Sequence, residues 1–148
     1  MAMQHMNPYI NFNGNTEEAF NFYKSVFGGE FAFVQRFKDV KDQPGCSNVP
    51  EQDMNKIMHI ALPIGKTGML MATDVLTSMG QPEVSGNHIS IALSPDSKAE
   101  ADKVFSGLSA GGQVIVPMSD MFWGAYFGMF IDKFGIQWML NFDPKVNG

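Results

Sequence analysis

Cysteine is almost absent from this chain: of 148 residues only Cys46 carries a thiol, so no internal disulfide can form. Positive charge is scarce too. Ten lysines and arginines, scattered singly, stand against fifteen aspartates and glutamates, a formal net charge of −5. Neutralising nucleic-acid phosphates needs a basic stripe, and without one that class is set aside. No stretch approaches the roughly 20 apolar residues that cross a bilayer. The opening MAMQHMNPYI has no basic stretch followed by an apolar run, so it does not read as a secretion signal. G-x-G-x-x-G, H-E-x-x-H and C-x-x-C are all missing. That removes the usual marks of dinucleotide binding, zinc proteolysis and thiol redox chemistry. GKTG at 65–68 lacks the earlier glycine of a phosphate loop, Ile60 standing in its place, and reads as a hairpin turn. The expectation is a reduced, cytoplasmic protein that meets neither nucleic acid nor membrane.

What is present is an ordinary globular balance, 45% hydrophobic and 17% charged, at the size of one domain. PYINF (8–12) and FAFVQRF (31–37) read as strands. Between them Ala19, Phe20, Tyr23, Val26 and Phe27 repeat at helical spacing, with Asn15 and Glu18 as a capping pair and Gly28 as the stop. Residues 38–55 are polar, hold two prolines and show no period, long for a connection and so either mobile or functional. They suit a lid or a dimer arm. Two strands follow around the turn at 65–68, and 75–87 reads as a linker. The plan then repeats. HISIALS (88–94) is a strand, Ser97 and Glu100 form a capping box, and Ala101, Val104, Phe105 and Leu108 mark a helix. QVIVPM and the segments 125–131 and 136–142 supply three more strands.

The order is therefore βαβββ twice. Phe22 and Phe105 lie 105 − 22 = 83 apart, and Glu17–Glu100, Gly28–Gly111 and Gly29–Gly112 keep that offset, which argues for a duplication. The fold class expected is α+β. A single domain (1–148) would hold modules 8–74 and 88–142 as tandem βαβββ units forming a curved eight-stranded cup. An open cup is a normal place for a small ligand.

Among groups able to do chemistry, Cys46 has no activating partner in sequence, and His5 sits in the N-terminal tail. His59 and His88 lie in strands of different modules and are the weak candidates for a metal. A catalytic metal wants three protein ligands, and no carboxylate lies mid-strand near them. Met58, Met69, Met71, Met129 and Met139, of twelve methionines in all, fall in strands, as core filler or as a soft lining for an apolar ligand. Trp123 and Trp138 serve equally as core anchors or as a cup wall.

PYINFNGNTEEAFNFYKSVFGG (8–29), IMHIALPIG (57–65) and FWGAYFGMFIDKFGIQWMLN (122–141), with the paired βαβββ order, resemble the PhnB-like branch of the vicinal oxygen chelate superfamily. That superfamily includes glyoxalase I, bleomycin-resistance proteins and extradiol dioxygenases. Members of this branch have carried the label of demethylubiquinone methyltransferase, for which this chain has no glycine-rich cofactor loop. The resemblance implies the cup fold, and in the metal-dependent members two histidines with one or two glutamates. Carried over, the ligand positions fall at about Pro8, at Met71, at His88 or Ser90, and at Met139. Neither proline nor methionine replaces a carboxylate, so no metal and no cofactor is expected.

The function expected is binding of a small, partly apolar molecule, in a homodimer. The candidate lining is Tyr9, Asn11, His59, Met71, His88, Ser90, Trp123, Trp138, Met139 and Asn141. Two other readings stay open. One is a metal-dependent lyase, isomerase or dioxygenase using His59 and His88. The other is a dimeric scaffold whose cup is filled by its own side chains.

Overall fold

A computed structural model describes residues 3–43 and 48–144; Cys46 lies outside them. The chain divides into two compact units after Ser85, inside the stretch read as a linker. The first unit runs β1 (Tyr9–Phe12), α1 (Thr16–Phe27), β2 (Phe33–Arg36), β3 (Ile57–Ile64) and β4 (Gly68–Asp74). The second runs β5 (Ile91–Leu93), α2 (Lys98–Ser109), β6 (Gln113–Asp120), β7 (Tyr126–Ile131) and β8 (Gln137–Phe142). Each forms a four-stranded sheet, β1-β4-β3-β2 and β5-β8-β7-β6, whose first strand pairs in parallel with its last. The α+β class and the doubled βαβββ order are thus those the sequence leads one to expect.

Each helix covers one face of its own sheet. In the first unit Ala19, Phe20 and Tyr23 are buried against β3 and β4, and the Phe20 ring meets Phe12 edge-on at 6.3 Å. Ile60, Leu62, Leu70 and Ala72 complete that core. In the second unit Val104, Phe105 and Leu108 pack over Phe130, Trp138 and Leu140, with Phe105 and Phe130 in edge contact at 5.0 Å. Gly128 lets the Phe105 ring come so near: a Cβ there would stand 2.8 Å from Cε2 of that ring.

The strand register carries the duplication further than the identities do. Tyr9 pairs with Met71 as Ala92 pairs with Met139, and Phe33 pairs with Ala61 as Val116 pairs with Met129. The offset is 92 − 9 = 116 − 33 = 83 in the first two strands of each unit, and 139 − 71 = 129 − 61 = 68 in the last two. The missing 15 residues lie between the second and third strands, where the first unit has its long loop and the second a short turn.

Three local expectations change. Asn15 makes no side-chain cap on α1; the buried Asp74 does that work, accepting from the Thr16 amide (3.0 Å) and hydroxyl (2.6 Å) through one oxygen. Its other oxygen accepts from the Ile57 amide at 2.8 Å. By contrast Ser97 does cap α2, accepting from the Glu100 amide at 3.1 Å. Strand β5 begins at Ile91 rather than His88, because the Gln137 side chain donates to the carbonyls of Asn87 and Ile89 and takes the place of strand pairing. The loop 38–55 and the linker contain short 3₁₀ turns at Phe37–Val40, Glu51–Asp53 and Thr77–Met79. They are tied together: buried Asp53 receives Lys56 Nζ at 2.7 Å and Ser78 Oγ at 2.5 Å. No helix among the described residues is long and apolar enough to cross a membrane.

Candidate functional site

Side chains alternate along a strand, so the residues not facing α1 share the other face of the first sheet. The register sorts them into two rows. One crosses the strands as Tyr9, Met71, Ala61 and Phe33. The next runs Asn11, Thr73, His59 and Gln35, since Asn11 pairs with Thr73 and Gln35 with His59. The first row is apolar apart from one phenol. The second is a line of hydrogen-bonding groups with no carboxylate, ammonium or guanidinium among them. Four of the candidate residues, Tyr9, Asn11, His59 and Met71, come together on this face.

Three rings cluster there. His59 stacks on Tyr9, centroids 5.5 Å apart and planes within 23°, and meets Phe33 at 5.3 Å. Its Nδ1 lies 3.3 Å from the Tyr9 hydroxyl. Tyr9 and Phe33 stay 47% and 45% exposed, a large share for rings on a four-stranded sheet. At the Asn11 end a groove of about 370 Å³ is lined by Asn11, Val75 and the segment 81–85. Asn13 holds that segment in place, accepting from the Val84 amide (2.8 Å) and donating to its carbonyl (3.2 Å). Phe33, Gln35 and Thr73 were not among the candidates. Alternation in 31–37 was readable, but which residues it brings beside His59 depends on cross-strand register.

The second unit divides its candidates. Met139 and Asn141 lie on the face away from α2, where Met139 pairs with Met129 and Asn141 with Phe127. Ser90 precedes β5 with the parity of that face, and His88 stands exposed in the segment before the strand. Trp138 has the opposite parity and is no part of an open wall. It is 1% exposed beneath α2, and its Nε1 donates to Asp132 Oδ2 at 2.8 Å. The same carboxylate accepts from the Phe134 and Ile136 amides at 2.8 and 3.0 Å, fixing the turn before β8. Trp123 is in no strand: it sits 53% exposed in the turn between β6 and β7, edge-on to Phe122 at 4.8 Å and near Phe127 at 6.4 Å.

The donor set at the positions where the resemblance implies a metal does not suit a hard divalent ion. Met71 and Met139 occupy equivalent register positions, and both offer only a thioether. Pro8 has no donor side chain, and its carbonyl is engaged by the Met71 amide at 3.1 Å. Within either unit, no three of the described His, Cys, Asp and Glu residues gather as a metal cluster.

Comparison with known proteins agrees with the fold. The sequence profile of the Glyoxalase/Bleomycin resistance protein/Dioxygenase superfamily matches residues 5–140. Protein YjdN of Escherichia coli (strain K12) is 28% identical over 141 residues, spanning 92% of this chain and 93% of its own. Among solved structures, protein PA1353 from Pseudomonas aeruginosa is 39% identical with a TM-score of 0.80, covering 95% of this chain and 98% of that one. The PhnB protein from Bacillus cereus is 25% identical with a TM-score of 0.69, covering 94% and 99%.

Proposed function

This chain belongs to the Glyoxalase/Bleomycin resistance protein/Dioxygenase superfamily, and from that premise we propose that it binds a small, partly apolar molecule on the helix-free face of its first sheet, without a metal. The observation that carries the proposal is the Tyr9–His59–Phe33 ring cluster, left half-open beside a row of polar groups. Covering the exposed half of each phenyl ring removes roughly 70–110 Å² from water, a gain of about 2–3 kcal/mol per ring. Two rings give a gross gain of about 5 kcal/mol, enough for weak binding before any hydrogen bond is counted. Fold alone does not give an activity, and the thioethers at Met71 and Met139 argue against one that runs through a metal.

Homodimerisation and a cytoplasmic location are parts of the same proposal, and light scattering coupled to size exclusion tests the first. Binding itself is tested with the neutral dye Nile red. Its emission is expected to rise with the wild-type protein and to lose most of that rise with Tyr9→Ala/Phe33→Ala. Equal emission from the two proteins would refute the site. No emission change in either would favour a scaffold over a binder.

A further inference from the structure

We infer that the ligand is a neutral, planar aromatic whose hydrogen-bonding edge lies along the Asn11–Thr73–His59–Gln35 row; this rests on the binding reading above and narrows it to a chemical class. Planarity follows from the rings. Tyr9 and His59 are near-parallel at 5.5 Å, and Phe33 closes on the same imidazole at 5.3 Å. Aromatic rings add to such a cluster by offset or edge contacts that a saturated ring does not make.

Neutrality follows from the charges. None of the face positions on β1 to β4 (Tyr9, Asn11, Phe33, Gln35, His59, Ala61, Pro63, Met69, Met71, Thr73) is Asp, Glu, Lys or Arg. An ionised ligand would exchange water for side-chain dipoles with no carboxylate, ammonium or guanidinium among them, which is unfavourable. An amide, phenol or ketone edge finds partners of both kinds: Asn11 and Gln35 each offer a carbonyl and an NH₂, Thr73 a hydroxyl and His59 a ring nitrogen.

Orientation follows from the spacing. The two rows are two residues apart along each strand, about 7 Å. One aromatic ring with a single exocyclic polar group bridges that distance, the ring over the Tyr9–Phe33 row and the polar group over its neighbour. The groove beside Asn11 leaves room for a further substituent at that end.

Three probes separate the terms: benzamide, cyclohexanecarboxamide and benzoate, titrated at millimolar concentrations against isotope-labelled protein and followed by NMR. Benzamide is expected to move the His59 imidazole, the Gln35 and Asn11 side-chain amides and the Phe33 ring. Its half-saturation should come at roughly threefold to tenfold lower concentration than that of the saturated amide, the factor an aromatic contact supplies. Benzoate should bind more weakly than benzamide. His59→Gln, which keeps hydrogen bonding and removes one of the three rings, should narrow the gap between the two amides.

Equal binding of the two amides by the wild type, or benzoate binding as well as benzamide, overturns the inference. So does benzamide failing to bind while Nile red still does; in each of these cases the binding reading stands. Failure of Nile red and all three probes overturns both.

Discussion

Replacing Asp132 should destabilise the second unit more than any exposed candidate does. Its Oδ2 takes the Trp138 indole N–H at 2.8 Å, beneath a side chain 1% exposed, and its Oδ1 takes two turn amides. Asp132→Ala leaves the indole donor buried without that partner, at a cost of about 1–3 kcal/mol. The Phe134 and Ile136 amides are half-buried and recover part of their bonding from water, so each adds about 1 kcal/mol. The sum is about 4 kcal/mol, which lowers Tm by roughly 8–16 °C for a chain of this size. Asp132→Asn is the sharper test. Its oxygen can still serve the turn, but its NH₂ then meets the indole N–H donor to donor, for a loss of about 1–3 kcal/mol. Urea unfolding followed by far-ultraviolet circular dichroism measures both, and serves equally for variants without Trp138. Trp138→Phe/Asp132→Asn should recover part of the asparagine penalty, because it removes the opposed donor. A cost below about 1 kcal/mol for Asp132→Ala, or no coupling in that cycle, would refute the reasoning.

Other consequences can be measured alongside. A Cβ at Gly112 would overlap the Ile131 carbonyl oxygen and lie 2.9 Å from Asp132 backbone atoms, so Gly112→Ala should cost about 3 kcal/mol in urea unfolding; a near-neutral result refutes the close approach. Gly128→Ala meets the flexible Met118 thioether at 2.6 Å and the Phe105 ring at 2.8 Å, and should cost less, about 1–2 kcal/mol. The hydrogen bond from Lys56, then that from Ser78, hold the Asp53 carboxyl below its ordinary value of 3.8. A lowered folded pKa gives stability that is present above 3.8 and lost as pH falls through the folded value. Acid unfolding curves of Asp53→Asn should therefore lack that part of the acid loss, and curves parallel to wild type would refute it. Dialysis against EDTA should leave Tm unchanged; about one metal per chain by elemental mass spectrometry, lost in His88→Ala, would overturn the metal-free reading.

Much of the fold was legible because periodicity is local. Ala101, Val104, Phe105 and Leu108 mark a helix from their own spacing, and all four are buried under it. Identity of partners is not local, and that is where reading stopped. Asn15 looked like a cap, but the group that caps α1 is Asp74, 58 residues away and without a signal near the helix. Trp138 and Met139 could not both line one wall, since neighbours in a strand point oppositely. Which of them is buried is decided by Asp132 and α2. Phe33 and Gln35 reach His59 only through the β2–β3 register, and that pairing carries a shift between Gln35 and Arg36 that alternation does not foresee.

The parallel pairing of β1 with β4 also sets a timetable during translation. Tyr9 meets Met71 across the sheet, and 71 − 9 = 62 residues separate them. At roughly 5–20 residues per second a ribosome needs about 3–12 s to make that stretch. Until then the first strand has no neighbour, and the first turn of α1 lacks the Asp74 carboxylate that receives Thr16. The β1–α1 segment of the nascent chain therefore waits, with Ile10, Phe12 and Phe20 uncovered, for a strand not yet synthesised. Chaperone capture of stalled chains should accordingly fall off once residue 74 has cleared the exit tunnel.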